Sequence, residues 1–213
     1  MNEKIISIIL TGGRSSRMNF ENKSFLKFNG TTFIETIINS IKTISNQIYI
    51  NANQDSDQYK KFGYPIVEDS HTGHKGPLAG IHSVLEIFKN QDEEVWFAVF
   101  PTDAPIINLK IFEYYNKIDK KNCRCLISKI DNIIEPMFSM WSSKCFEHLD
   151  YILKNNDGYK IMKFAEEIKY KFVEFKREKE LEFFNVNNFE DYEKLQLLMS
   201  RVQRSREADE VCK

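Results

Sequence analysis

The run Ile5–Leu10 constrains the fold more than any other feature of the chain, because five of its six residues are Ile or Leu. The run ends abruptly at Thr11-Gly12-Gly13. A short apolar segment closed by glycines is typical of a strand that is buried on both faces, as in a parallel sheet. Apolar residues then recur at helical spacing from Phe33 to Ile41, so the pattern predicts a helix after the first strand.

The alternation of strand and helix continues along the chain. Further strands are predicted at residues 47–51, 65–67, 95–100, 123–128, 137–141, 172–175 and 183–186. Further helices are predicted from Pro77 onward and at residues 107–115, 147–153, 161–168 and 191–199. This order predicts an α/β fold, a Rossmann-like three-layer sandwich with a mostly parallel central sheet. We expect residues 1–199 to form a single domain and residues 200–213 to form a charged C-terminal tail that is frayed or disordered.

Charge and cysteine usage argue against several classes of protein. The 30 Lys and Arg residues against 31 Asp and Glu give a formal net charge of −1, so the chain has no overall basic field for nucleic acid. The four cysteines include no C-x-x-C pair, which is typical of reduced thiols. The first apolar run is too short for a signal peptide or a membrane span. We therefore expect a cytoplasmic monomer with neither nucleic acid nor membrane as a partner.

In a parallel sheet, ligands bind beyond the carboxyl ends of the strands, so the loop after the first strand is the first candidate site. Gly12 and Gly13 would let backbone amides approach a ligand closely. Arg14, Arg17 and Lys23 add three cations, and guanidinium groups suit bidentate contact with phosphate. The loop matches neither G-x-G-x-x-G nor the Walker A pattern. It favours phosphate binding, and the alternative is a solvated basic turn.

A second candidate site follows the other strongly apolar run. Asp103 lies between Pro101 and Pro105, directly after the strand predicted at 95–100. A carboxylate held there suits Mg²⁺, with nucleotide phosphates completing the coordination. The alternative is an Asp that caps the following turn.

Three further features complete this edge of the predicted sheet. The segment G-P-L-A-G at 76–80 opens a helix, and its small residues, including Gly80, allow close backbone approach while the helix start favours an anion. A tight loop with Pro77 at the first helical position is an equal interpretation. Asn51 and Asp69 each follow a short strand.

Together these motifs carry a resemblance to a known family. The chain resembles the molybdenum cofactor guanylyltransferases, within the wider group of glycosyltransferase-A-like nucleotidyltransferases. The matching motifs occur in family order and cover the chain to about residue 199: L-T-G-G-R-S-S-R-M at 10–18 with Lys23, I-N-A-N at 50–53, V-E-D at 67–69, G-P-L-A-G at 76–80, P-T-D-A-P at 101–105 and F-N-V-N at 184–187.

The resemblance implies a reaction and a set of site residues. The reaction is transfer of GMP from GTP to the terminal phosphate of molybdenum-bound molybdopterin, with Mg²⁺ and release of pyrophosphate; a protein that delivers molybdopterin is left open. The catalytic residues implied are Arg14, Arg17, Lys23 and Asp103, and Asp103 is also the metal ligand. The nucleotide-binding residues implied are Leu10, Thr11, Gly12, Gly13, Lys23, Asn51, Asp69, Gly80, Asp103, Asn185 and Asn187.

The chain departs from the family pattern at three places. Thr11 replaces the usual Ala, Asn22 replaces the usual Asp before the lysine, and Tyr159-Lys160 stands where an arginine-rich turn is expected, which leaves the pterin contacts open. Related alternatives are a CTP-dependent cytidylyltransferase on molybdopterin and a nucleotidyltransferase for sugar or polyol phosphates. An alternative of another class is a non-catalytic nucleotide-binding protein.

The histidines do not predict a metal site. His71-x-x-His74 lacks a nearby Glu or Cys that would complete a zinc site, so we expect a flexible loop there. His82 falls on the helix that begins at Pro77, with no partner evident from the sequence.

Overall fold

A computed structural model describes residues 5–12, 22–71, 76–156 and 158–211 of the chain. The strands are β1 Ile5–Leu10, β2 Lys27–Phe28, β3 Thr31–Thr32, β4 Gln47–Asn51, β5 Ile66–Val67, β6 Trp96–Pro101, β7 Cys125–Ile130, β8 Ile133–Ser142 and β9 Tyr170–Phe175. The helices are α1 Phe33–Ile41, α2 Ser56–Tyr59, α3 Pro77–Ile87, α4 Ile111–Lys117, α5 Phe146–Asn155, α6 Ile161–Glu167 and α7 Phe189–Val211. Short 3₁₀ turns lie at Lys23–Phe25, Lys60–Phe62 and Ser143–Cys145.

Seven strands form the central sheet in the order β5-β4-β1-β6-β8-β7-β9. Strands β1, β4, β5 and β6 pair in parallel, and β7 pairs in parallel with β9. Only β8 runs against its neighbours, pairing antiparallel with both β6 and β7. The predicted α/β class and mostly parallel sheet are therefore confirmed.

Helices cover both faces of the sheet, as the all-buried β1 requires. Ile5 and Ile9 of β1 pack into the core beneath α1 and α4. Ile6, Ile8 and Leu10 point to the opposite face, into the core beneath α3, α5 and α6. Side chains alternate between faces along a strand, so one apolar strand supplies both cores of a three-layer sandwich.

A third apolar cluster joins the two-stranded hairpin β2–β3 to α7, through Phe28, Phe33, Leu195 and Leu198. We did not predict this hairpin, although its turn has a sequence signal. Asn29 and Gly30 both have positive φ, at 50° and 78°, and Asn-Gly is the preferred pair for a tight hairpin turn.

Two predicted elements differ clearly from the structure, and the bounds of several others shift by a few residues, as for the helix predicted at 107–115 and found at Ile111–Lys117. The strand predicted at 183–186 is wrong, because Phe183 has a φ of 57° and this segment bonds to a loop instead of a strand. The final helix, predicted at 191–199, extends through residue 211. The division into a domain of residues 1–199 and a charged tail stays a prediction.

Two further findings concern cysteines and membranes. Cys123, Cys125 and Cys145 are buried and free. Among the described residues, no helix combines the length and apolar character needed to cross a bilayer.

Candidate active site

The carboxyl ends of four parallel strands meet at one edge of the sheet, as predicted. The backbone N–H of Thr11, just after β1, donates to Asn51 O at the end of β4 (3.1 Å). The N–H of Thr102, just after β6, donates to Leu10 O (3.1 Å), and the N–H of Ala52 donates to Val67 O at the end of β5 (3.1 Å). The carboxyl ends of β1, β4, β5 and β6 therefore form one continuous rim.

The loop after β1 is described only as far as Gly12. The Thr11 hydroxyl donates to Asn51 O at 2.8 Å and so ties the ends of β1 and β4 together. A Cβ built on Gly12 would meet no atom of the described residues within 4 Å, so the described part of the chain leaves open space at this position. Gly13, Arg14 and Arg17 lie outside the described residues, and their placement stays a prediction.

Asn51 and Asp69, predicted as neighbours on the rim, are in direct contact. The Asn51 amide donates to Asp69 Oδ1 at 2.9 Å and to Val67 O at 3.0 Å. Asn53 holds the other side of the carboxylate: its amide donates to Asp69 Oδ2 (2.8 Å), and its Oδ1 accepts from the Asp69 N–H (2.7 Å). Asn53 was not among the predicted site residues, although it belongs to the same I-N-A-N motif.

Gly80 lies in the first turns of α3, against the ends of β1 and β4. A Cβ at this position would lie 2.2 Å from Asn51 Oδ1 and 2.8 Å from Leu10 Cδ2. The glycine therefore lets α3 pack directly on the buried Asn51 side chain. Pro77 occupies the first turn of the helix, as its sequence position suggested.

Lys23 and Asp103 come together from opposite parts of the chain. Burial raises the pKa of the Asp103 carboxyl, while the positive charge of Lys23 acts to lower it. The segment at 183–186 joins both residues: the Lys23 ammonium donates to Val186 O at 2.9 Å, and the Val186 N–H donates to Asp103 O at 2.7 Å. The described part of the site thus places the positive charge of Lys23 close enough to act on the Asp103 carboxyl.

Asn22 positions the turn that carries Lys23. Its Oδ1 accepts from the Ser24 N–H at 3.1 Å, which caps the 3₁₀ turn Lys23–Phe25. Its amide donates to Asp55 Oδ2 at 3.1 Å and to the Tyr59 hydroxyl at 3.0 Å. The Ser24 hydroxyl in turn donates to Thr102 Oγ1 at 3.3 Å, beside Asp103.

Glu135 is a site residue that sequence reasoning missed. Burial raises the pKa of its carboxyl. A hydrogen bond from the Asn185 side chain and the positive charge of Arg177 act to lower that pKa, and the charge of Asp103 acts to raise it. Asn185 is therefore brought beside Glu135, next to Asp103. The signal in the sequence was the single charged residue, between Ile134 and Pro136, of a strand whose other residues are uncharged.

Asn187 lies at the start of α7. Its backbone N–H donates to Asp191 Oδ2 at 2.9 Å, in the hydrogen-bonded turn that begins the helix. The structure thus shows a backbone role for Asn187 next to the site.

His82 has partners that the sequence did not reveal. Its Nε2 lies 3.2 Å from Asp150 Oδ1 on α5, and its Nδ1 lies 3.1 Å from Ser70 Oγ. His74, the second histidine of the 71–74 pair, lies outside the described residues.

Comparisons with known proteins agree with this geometry. A model of the MobA-like NTP transferase domain matches residues 7–170. A probable molybdenum cofactor guanylyltransferase of Clostridium perfringens strain 13 is 35% identical over 195 residues, covering 88% of this chain and 93% of the relative. A molybdenum cofactor guanylyltransferase of Vibrio atlanticus is 31% identical over 159 residues, covering 75% of this chain and 79% of the relative.

Solved structures show the same fold. Molybdopterin-guanine dinucleotide biosynthesis protein A from Archaeoglobus fulgidus superposes with a TM-score of 0.70 at 21% identity, covering 92% of this chain and 99% of that one. The 4-diphosphocytidyl-2C-methyl-D-erythritol synthase of Anaerococcus prevotii has a TM-score of 0.67 at 13% identity, covering 93% and 97% of the two chains. From the family match and the identity to curated relatives, this chain belongs to the MobA-like NTP transferase family and is a nucleotidyltransferase.

Proposed function

We propose that this protein transfers GMP from GTP to the terminal phosphate of molybdenum-bound molybdopterin. A phosphate oxygen of the acceptor attacks the α-phosphorus of GTP and forms a new P–O bond. The bond from the α-phosphorus to the bridging oxygen breaks, and pyrophosphate leaves with that electron pair. One observation supports the reaction class above all: the charge of Lys23 acts on the Asp103 carboxyl at the carboxyl edge of the sheet, and both residues bond to the Val186 backbone. The choice of base and acceptor rests on the names of the relatives.

The chemistry demands charge neutralisation more than proton transfer. The attacking group is already an anionic phosphate, so it needs no strong general base. Positioning and electrostatic stabilisation must then provide the rate enhancement. We assign phosphate binding to Lys23, with Arg14 and Arg17 of the same loop neutralising the departing pyrophosphate.

We assign the nucleoside half of GTP to the side of the rim away from the phosphate-binding Lys23. Asn51, Asn53 and Asp69 form a connected polar cluster there, and Gly80 keeps the helix backbone close behind it. Leu10, Thr11 and Gly12 offer backbone groups next to open space, which suits contact with the base and ribose.

The residues around Asp103 fit a magnesium ion. Asp103 and Glu135 are partly buried carboxyl groups whose mutual repulsion a divalent cation would relieve, and Asn185 adds an amide oxygen. Hard oxygen donors of this kind are the ligands that Mg²⁺ prefers. A bound ion would supply positive charge that offsets the charge of the nucleotide phosphates. Asp103 is its primary ligand in this proposal, and Asn187 stays a neighbour of the site.

A direct assay tests the proposal. The protein is incubated with molybdenum-loaded molybdopterin, Mg²⁺ and either GTP or CTP, and the dinucleotide is identified by mass. We expect a GMP adduct with GTP and no CMP adduct with CTP. A CMP adduct alone would overturn the choice of base, and no product with either nucleotide would overturn the choice of acceptor.

Matched variants separate the site from the scaffold. Asp103→Asn and Lys23→Ala should each lower kcat by about 100-fold or more, the usual loss when one preorganised charge is removed. Lys27→Ala and Asp57→Asn are the controls, because both side chains are exposed. Near-normal turnover in Asp103→Asn would refute its role at the reacting phosphates.

A further inference from the structure

His71, His82 and Asp150 form a cluster of metal-ligating side chains away from the Asp103 carboxyl. His71 follows β5, His82 lies on α3, and Asp150 lies on α5. One donor atom from each side chain lies within 4.8 Å of the other two. His82 is 1% exposed, and the side chains of His71 and Asp150 are 14% and 22% exposed, so the cluster is largely closed off from solvent.

The separations between the donor atoms fit a tetrahedral site. The Nε2 atoms of His82 and His71 lie 3.2 and 3.5 Å from the same oxygen, Asp150 Oδ1. Ligands about 2.1 Å from a tetrahedral ion are themselves about 3.4 Å apart. The two imidazole rings are 4.6 Å apart and tilted by 66°, so both nitrogens can converge on one point beside the carboxylate.

Other groups orient two of the three ligands. Ser70 Oγ lies 3.1 Å from His82 Nδ1, which leaves Nε2 directed at the cluster. The Lys154 ammonium binds Asp150 Oδ2 at 2.6 Å and leaves Oδ1 facing the histidines. Hydrogen bonds of this kind to the outer atoms of ligands are a regular feature of metal sites.

We propose that His71, His82 and Asp150 bind one Zn²⁺ ion, with solvent at the fourth position. Two imidazole nitrogens and one carboxylate suit a borderline transition metal, whereas Mg²⁺ prefers an all-oxygen shell. The ion would join the segment after β5 to α3 and α5. Asp69, which accepts a hydrogen bond from Asn51, is two residues before His71. Bound zinc would therefore also hold in place the segment that carries Asp69. The inference is independent of the proposed reaction and of its nucleotide.

Zinc content measures the site directly. Full-length protein is stripped with a chelator, incubated with Zn²⁺ in excess Mg²⁺, passed over a desalting column and analysed by elemental mass spectrometry. We expect one zinc per chain. His71→Gln and Asp150→Asn should each lower zinc affinity by more than about tenfold, since even an outer-shell change costs that much. Asp103→Asn should keep its zinc, which distinguishes this site from the one around Asp103.

His148→Gln is the matched control, because His148 is exposed on the same helix as Asp150 and pairs with Glu167 instead. Thermal melts give a second readout. Zn²⁺ at about 100 times its Kd should raise the Tm of the wild type and of His148→Gln by about 5–10 °C, and that of His71→Gln by much less. Melts in chelator check that His71→Gln folds like the wild type. Absence of bound zinc in the wild type, or equal binding by His71→Gln, would show that the cluster is only a hydrogen-bonded triad.

Discussion

Gly80→Ala is the substitution whose effect the structure defines most sharply. A methyl group at residue 80 would lie 2.2 Å from Asn51 Oδ1, 2.7 Å from Asn51 Cγ and 2.8 Å from Leu10 Cδ2. All three distances are shorter than real Cβ contacts, so Asn51 must move. Asn51 is only 4% exposed and is held by hydrogen bonds to Val67 and Asp69, so its movement breaks both.

The expected loss of stability follows from three opposing effects. Overpacking a closed site costs about 1–3 kcal/mol. Each of the two broken hydrogen bonds costs about 1 kcal/mol, and the higher helix propensity of Ala returns about 1 kcal/mol. The balance is a destabilisation of about 3 kcal/mol, which lowers the Tm of a chain of this size by about 6–12 °C.

Thermal and urea denaturation measure this loss, and a second glycine is the control. Gly12→Ala introduces the same methyl group where no atom of the described residues lies within 4 Å, so its Tm should match that of the wild type within about 2 °C. The double variant Asn51→Ala/Gly80→Ala lacks the Asn51 amide that the new methyl group would meet. The two substitutions should then cost at least about 1 kcal/mol less together than the sum of the single changes. A Gly80→Ala protein as stable as the wild type would refute the close approach of α3 to Asn51.

Two further predictions concern charges near the site. Asn22→Asp places a carboxylate beside Asp55 and should lower the Tm by about 2–4 °C, because the two negative charges repel each other. Adding Asp55→Asn should restore the Tm, and a double variant no more stable than Asn22→Asp alone would contradict the contact between residues 22 and 55. Burial raises the pKa of the Glu135 carboxyl in the folded protein above its ordinary value of 4.5. The folded state therefore holds the carboxyl proton more tightly than the unfolded chain does, and the free energy of unfolding falls as the pH rises above 4.5. Glu135→Gln should therefore raise the Tm at pH 7 and reduce the loss of stability between pH 4 and 7, which thermal melts across that range would measure. A pH profile of the Tm identical to that of the wild type would contradict this prediction.

The parts of the fold that were predictable from the sequence are those with a local pattern. The run Ile5–Leu10 is β1 from end to end, because a strand buried on both faces reads as a nearly continuous apolar run. Gln47–Asn51 is β4, with the bounds predicted from the sequence. Asn51 and Asp69 were predicted at one edge because both follow parallel strands.

The missed features depend on tertiary contacts. The aromatic run near Phe183 has strand character, yet its backbone bonds to Ile106 and Asp103 in the loop after β6. The partner of His82 is 68 residues away on α5, a separation that no spacing rule could anticipate.

The one reversed strand explains why Glu135 escaped a search confined to the carboxyl ends of strands. Val99, near the end of β6, pairs with Ser139 of β8, while Trp96 at its start pairs with Ser142. The beginning of β8, not its end, therefore lies at the edge where β1, β4, β5 and β6 finish. A residue just inside the start of β8 reaches the same rim as Asp103, and Glu135 occupies that position. In a mixed sheet, the rule that ligands bind beyond the carboxyl ends must be extended to the amino ends of antiparallel strands. Sequence alone predicts the strand but not its direction, and here the direction decides whether this carboxylate joins the site.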